Sequence, residues 1–144
     1  MKTLIAATVL LASSLFGRDH TALNGTWTLV PTSSDFNGQP VIQTGTVTIN
    51  EREGDITVSR DFKYEGNAET YFYRDMIDSE NSATIRNGKE VKSKARWDKD
   101  MLRVTTTQSG VVTNETYELL PDGTLSVHVA RPGNKTISMV FVRK

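Results

Sequence analysis

Side chains that could perform catalysis or bind a metal are few in this sequence of 144 residues. It has no cysteine and only two histidines, His20 and His128. A thiolate nucleophile is therefore excluded, and no transition-metal site has ligands at the necessary spacing. No nucleophile elbow, P-loop or dinucleotide-binding motif occurs. We predict a protein that is not an enzyme, with no catalytic residues, no cofactor and no metal ion.

Acidic residues cluster where turns are predicted, at 51–55, 75–80 and 98–100. Such clusters most simply solvate hairpin tips, and a weak calcium site at 75–80 is the minor alternative. Glu115 shares a strand face with Tyr117, so it is the candidate carboxyl for a further alternative, an enzyme built inside the fold.

Aromatic and apolar side chains are the better candidates for a binding site. A tyrosine joins an apolar ring to a hydroxyl, which suits either a ligand pocket or a packed wall. Core packing is the competing interpretation for the same set, and Trp27 is predicted to be structural. The predicted ligand-binding residues are Tyr71, Tyr73, Trp97, Tyr117, Met139 and Phe141.

The elements that carry these residues are predicted to be strands, because apolar and polar residues alternate almost throughout after residue 22. Turn residues interrupt the alternation every seven to fourteen residues, and Asn87-Gly88 is a strong hairpin signal. Ten strands are predicted: Gly25–Val30, Thr44–Asn50, Ile56–Lys63, Glu69–Arg74, Ser82–Arg86, Glu90–Trp97, Leu102–Gln108, Val111–Leu119, Thr124–Ala130 and Thr136–Arg143.

The same alternation predicts how the strands assemble. In Glu90–Trp97, Val91, Ser93, Ala95 and Trp97 share one face and the basic residues take the other. One solvated face is typical of an antiparallel sheet, and an open sheet of this size would leave costly edges. We predict an all-β fold, a closed antiparallel up-and-down barrel of 8–10 strands. A sandwich of two sheets is the alternative.

The N-terminal segment has the features of an export signal. Residues 1–17 contain one charge, Lys2, then an apolar run from Leu4 to Leu11 and small residues, with cleavage expected after Ser14 or Gly17. The run is too short to span a bilayer, so stable membrane insertion is not expected. We predict a signal peptide at 1–17, a barrel domain at 23–144 and a periplasmic or secreted location, which suits a chain without cysteine.

Charge argues against polyanionic partners. The 17 basic and 17 acidic residues cancel, and losing Lys2 leaves a mature chain of charge near −1. That balance gives no electrostatic reason to bind nucleic acid or an anionic membrane. The partner that remains is a small hydrophobic molecule; a protein partner is not identified.

Several short stretches, taken in order, resemble the calycin group of lipocalins and intracellular fatty-acid-binding proteins. Gly25–Leu29 resembles the Gly-x-Trp first strand of both families, followed by Asp35-Phe36. The hairpins around Val91–Leu102 and Tyr117–Leu125 resemble paired hairpins of the fatty-acid-binding proteins, and Met139–Phe141 lies where that family has its closing Arg-x-Tyr. The resemblance implies a lipocalin-like barrel with Trp27 at its closed end and a small-molecule ligand inside.

Two departures from that family qualify the analogy. Its arginine pair and tyrosine correspond here to Tyr117, Met139 and Phe141, or to Val140 and Val142 if the last strand shifts by one residue. A buried fatty-acid carboxylate would then lack a cation, so we expect neutral or weakly polar contents. The thirteen residues between Val30 and Thr44 are too few for a helical lid, so a loop should cover the mouth.

The sequence thus predicts an exported barrel that binds a small apolar or amphipathic molecule. The alternative is a protein-interaction or inhibitor module with a filled core, using an exposed apolar patch around Pro31–Ile42.

Overall fold

The computed structural model describes residues 20–76 and 82–144. The predicted signal peptide at 1–17 lies outside these residues, as does most of the candidate calcium segment at 75–80. Within them, no helix is both long enough and apolar enough to cross a bilayer.

Ten strands and two single turns of 3₁₀ helix make up the described fold. The 3₁₀ turns are Thr21–Leu23 and Pro31–Ser33. The strands are β1 (Gly25–Leu29), β2 (Ile42–Arg52), β3 (Asp55–Tyr64), β4 (Asn67–Met76), β5 (Ser82–Arg86), β6 (Lys89–Asp98), β7 (Met101–Gln108), β8 (Val111–Leu119), β9 (Leu125–Ala130) and β10 (Ile137–Arg143). Every predicted strand is present.

The strands form one closed antiparallel barrel, in which each strand pairs with its neighbours in sequence and β1 pairs with β10. Trp27 lies opposite Arg143 on β10 and opposite Val47 on β2, so the first strand completes the ring. Closure removes the open edges that an isolated sheet would expose. The predicted barrel is confirmed and the sandwich alternative is wrong.

Alternation along the strands fills the barrel interior. On β6, Val91, Ser93 and Ala95 are buried while Lys92, Lys94 and Arg96 are exposed, as predicted. The same period places Leu125, Val127 and Val129 in the core, and it turns His128 outward toward Ser126 and Ser138. Two-residue periodicity therefore separates an interior from a solvated outer wall.

The N-terminal segment closes one end of the barrel, which we call the floor. Leu23 in the first 3₁₀ turn is buried, and its carbonyl accepts a hydrogen bond of 2.9 Å from the indole Nε1 of Trp27, which is fully buried. His20 stacks on Trp97 with 4.0 Å between ring centroids.

The opposite end, the mouth, is covered by the connection between β1 and β2. This connection contains only the second 3₁₀ turn, so the absence of a helical lid is confirmed. Asp35 forms a β-bridge with Ser138 on β10, and Phe36 is buried beside it. Of the apolar residues predicted to form an exposed patch here, Phe36 and Ile42 are buried and Val41 is exposed.

Candidate functional site

A row of three side chains crosses the inner wall near the mouth. Arg60 on β3 lies opposite Tyr71 on β4, which lies opposite Arg86 on β5. The Tyr71 ring contacts both guanidinium groups, with its centroid 4.1 Å from Arg60 Cζ and 5.4 Å from Arg86 Cζ. Cation–π contact of this kind stabilises both cations in a setting with little water.

The counter-ion for this row comes from the other side of the barrel. Glu115 is on β8, five strands from β3 around the ring, and it is almost fully buried. Its Oε2 accepts hydrogen bonds from Arg60 Nη1 at 2.5 Å and from the Tyr117 hydroxyl at 2.7 Å. Its Oε1 lies 3.8 Å from Arg86 Nη2.

A second carboxylate completes the group. Glu69 on β4 places Oε1 3.5 Å from Arg60 Nη2 and remains 19% exposed at the mouth. We call Arg60, Glu69, Tyr71, Arg86, Glu115 and Tyr117 the interior polar cluster. Its two cations balance its two carboxylates, so neither of the two buried charges, Arg60 and Glu115, lacks an opposite charge nearby.

The protonation of the cluster follows from this arrangement. Burial lowers the pKa of Arg60, but Glu115 together with Tyr117, Tyr71 and Glu69 raises it by more, so the pKa lies above its ordinary value. Burial and the Glu115 carboxylate raise the pKa of Tyr117 well above its ordinary value, and both also raise the pKa of Tyr71. Arg60 is therefore a permanent cation and both phenols remain neutral.

Some atoms of the cluster lack hydrogen-bond partners. In the described part of the protein, four buried atoms of the cluster form no hydrogen bond: Arg60 Nε, Arg86 Nε, Arg86 Nη2 and Glu115 Oε1. Arg86 Nη1 donates a long hydrogen bond to Gln108 Oε1 at 3.5 Å. Buried polar atoms are almost always hydrogen-bonded in native proteins, so these atoms have free capacity to bond a water molecule or a ligand.

A cleft lies at the mouth of the barrel. It has a volume of about 390 Å³ and is lined by Tyr64, Glu69, Asn87, Arg131, Ile137 and residues of the two adjoining loops. Glu69 lines this cleft and also contacts Arg60, so the two features adjoin.

The fold has counterparts among solved structures. A mutant of the REP1-NXSQ fatty acid transporter matches it with a TM-score of 0.63 at 16% sequence identity, covering 85% of this chain and 98% of that one. Comparison with protein-family models gave no match, and comparison with curated protein sequences gave none either. The chain shares the barrel fold of that structure. At this identity the likeness concerns architecture alone.

The predicted site residues occupy three regions of the barrel. Tyr71 and Tyr117 belong to the interior polar cluster. Tyr73, Met139 and Phe141 are buried in the core, and Trp97 is partly buried near the floor with His20. Their role in ligand binding stays a prediction, as does the structural role of Trp27.

Sequence reasoning missed the two arginines. The expectation of an interior without a cation is wrong, since Arg60 is only 4% exposed and Arg86 13%. The positions that correspond to the family's arginine are indeed uncharged, and the cations come instead from β3 and β5. The signal was present, because Arg60 alternates in step with Ile56, Val58 and Phe62 and so shares their inward face.

Proposed function

We propose that this protein is an exported carrier whose barrel binds a small amphipathic molecule. The observation that carries the proposal is the interior polar cluster, which is buried, holds unpaired donors and an unpaired acceptor, and adjoins a cleft at the mouth. Apolar walls with a few convergent polar groups are the usual composition of a small-molecule site. The likeness to a protein described as a fatty acid transporter agrees with this reading.

Export is the second part of the proposal, and it is supported by the charged, apolar and small-residue order of residues 1–17. Expression of the full chain in a bacterium should yield a periplasmic protein shortened at its N-terminus. N-terminal sequencing and fractionation measure this, and full-length protein confined to the cytoplasm would contradict it.

Ligand binding is tested with an anilinonaphthalene dye, whose fluorescence rises in an apolar cavity, followed by displacement with amphiphiles of graded chain length. Native mass spectrometry of freshly purified protein gives an independent readout. We expect dye binding that amphiphiles reverse. Absence of dye binding, of displacement and of any retained small molecule would refute the carrier proposal.

A matched pair of variants locates the binding site. Ile137 lines the cleft and is partly buried, whereas Val142 on the same strand is 41% exposed on the outer wall. Ile137→Trp should narrow the cleft and weaken amphiphile binding about tenfold or more, the equivalent of one or two kcal/mol of lost contact. Val142→Trp should leave affinity unchanged, and thermal unfolding confirms that both variants fold.

A further inference from the structure

The unpaired atoms of the interior polar cluster differ in chemistry, and the difference specifies a ligand. Arg86 Nε and Nη2 are donors, whereas Glu115 Oε1 is an acceptor. Arg86 Nη2 and Glu115 Oε1 are 3.8 Å apart, too far for a hydrogen bond to each other. Both atoms are buried, so an oxygen that lies about 2.9 Å from each, accepting from Arg86 and donating to Glu115, requires the surrounding side chains to move apart.

The charges around this gap disfavour an ionised ligand. Arg60 and Arg86 are already matched by Glu115 and Glu69, and Arg60 is bonded to Glu115. A ligand carboxylate would be a third anion near two carboxylates, and it could not donate a hydrogen bond to Glu115 Oε1. An alkylammonium could donate to Glu115 but would lie beside the Arg86 guanidinium, and like charges at this range repel strongly.

We propose that the barrel binds an amphiphile through an uncharged head group that both donates and accepts a hydrogen bond, a hydroxyl or a primary carboxamide, held between Arg86 and Glu115. This inference rests on the proposed function and adds the class of its ligand. The Glu115 carboxylate already forms the ion pair with Arg60 that an acidic ligand would otherwise form.

The test compares probes of equal chain length in displacing the dye from the wild-type protein at neutral pH: an alkan-1-ol, the primary alkanamide, the alkanoate and the methyl ether of the alcohol. The alcohol and the amide should bind about tenfold more tightly than the alkanoate, since hydrogen bonds to charged groups contribute on that scale. The ether accepts from Arg86 but cannot donate to Glu115, so it should bind more weakly than the alcohol.

Two variants assign the head group to its partners. Glu115→Gln removes one anion and should reverse the preference toward the alkanoate, because two cations then face one carboxylate. Arg86→Gln removes the unpaired donors and should weaken alcohol binding about tenfold. Arg74→Gln is the control, because Arg74 is an exposed residue paired with Asp55 on the outer wall and should change no preference.

The outcomes separate this inference from the proposed function. Tighter binding of the alkanoate by the wild-type protein would overturn the inference and leave the carrier function standing. Equal affinity of alcohol and ether would also overturn it, since water rather than the ligand would then fill the gap. No displacement by any probe would overturn the inference, and the carrier function would fall with it only if the dye and every retained small molecule were also absent. If Glu115→Gln does not fold, the wild-type comparison and Arg86→Gln still decide.

Discussion

Arg60 makes more contacts with charged and aromatic groups than a single ion pair requires. Its guanidinium donates to Glu115, lies 3.5 Å from Glu69 and covers the ring of Tyr71, while the side chain is 4% exposed. Desolvating a guanidinium and a carboxylate is expensive, so such a group is stable only while every partner is present. The cluster is therefore a site of high sensitivity to substitution.

A double-mutant cycle on Arg60 and Glu115 tests this sensitivity. Arg60→Met leaves the Glu115 carboxylate buried without its main cation, and Glu115→Leu does the converse, so each should lower the free energy of unfolding by about 3–5 kcal/mol. The double variant should lose much less than the two single losses added together, since neither charge is then stranded. Denaturant unfolding measures all four proteins.

The control for that cycle is the exposed pair of Arg74 and Asp55, whose nitrogen–oxygen distance is 3.0 Å on the outer wall. Arg74→Met should have little effect on stability because solvent and salt screen that pair. Additive losses for Arg60 and Glu115, or equal losses at the inner and outer pairs, would show that the cluster is not energetically coupled.

At the scale of strands, residue period two carries most of the information. It correctly assigned the ten strands and the inner and outer faces of β6, because burial on one side of a sheet imposes that period. Strand ends were less predictable. The predicted β2 ends at Asn50, whereas the observed strand runs to Arg52, since Glu53 and Gly54 both adopt positive φ and form a turn of two residues.

The site was less predictable than the fold for a related reason. Alternation shows that Arg60 and Glu115 point inward, but it gives no distance across the barrel. Their contact depends on closure, which brings β3 and β8 face to face. Reasoning from family positions directed attention to β8 and β10 and away from the strands that supply the cations.

Gly45 shows how one residue shapes the packing of β2. A Cβ atom at this position would lie 2.9 Å from Phe62 Cδ1 and 3.2 Å from Leu29 Cβ. Gly45→Ala should therefore overpack the core and lower the free energy of unfolding by about 1–3 kcal/mol. Thr44→Ala, on the exposed face of the same strand, is the matched control and should cost far less.

A second substitution checks the cause. Phe62→Leu shortens the side chain that the new methyl group meets, so it should recover part of the loss when combined with Gly45→Ala. Thermal unfolding of the single and double variants measures this. A double variant that loses the full sum of both single effects would indicate that the glycine is needed for another reason.

At the scale of the whole barrel, closure separates an interior chemistry from that of the surface. The floor is sealed by Leu23 and Trp27, and the mouth is narrowed by a loop docked on β10. Between them lie the neutral phenols of Tyr71 and Tyr117, whose pKa values are raised first by burial and then by the Glu115 carboxylate. Their ionisation is thereby tied to the integrity of the barrel.

This tie predicts how stability depends on pH in the alkaline range. When the pKa of a group is higher in the folded than in the unfolded state, the stabilisation that results is complete below the unfolded pKa, which is 10.0 for tyrosine. This stabilisation is lost as the pH rises toward the folded pKa. These two tyrosines should therefore cause no change in the free energy of unfolding with pH near neutrality, and they should cause it to fall above about pH 10. Tyr117→Phe should make that fall shallower.

An alkaline titration that follows phenolate absorbance and tryptophan fluorescence together shows whether Tyr117 ionises only when the barrel unfolds. The phenolate signal of Tyr117 is the part that Tyr117→Phe removes. In the wild-type protein this signal should appear only when tryptophan fluorescence reports unfolding, because ionisation in the folded barrel would place a third anion beside Glu115 and Glu69. If that signal instead rises near pH 10 while the fluorescence stays native, the Tyr117 hydroxyl is accessible to solvent. Water would then reach the cluster, and the Tyr117 hydroxyl would not be held in a hydrogen bond to Glu115 in the folded protein.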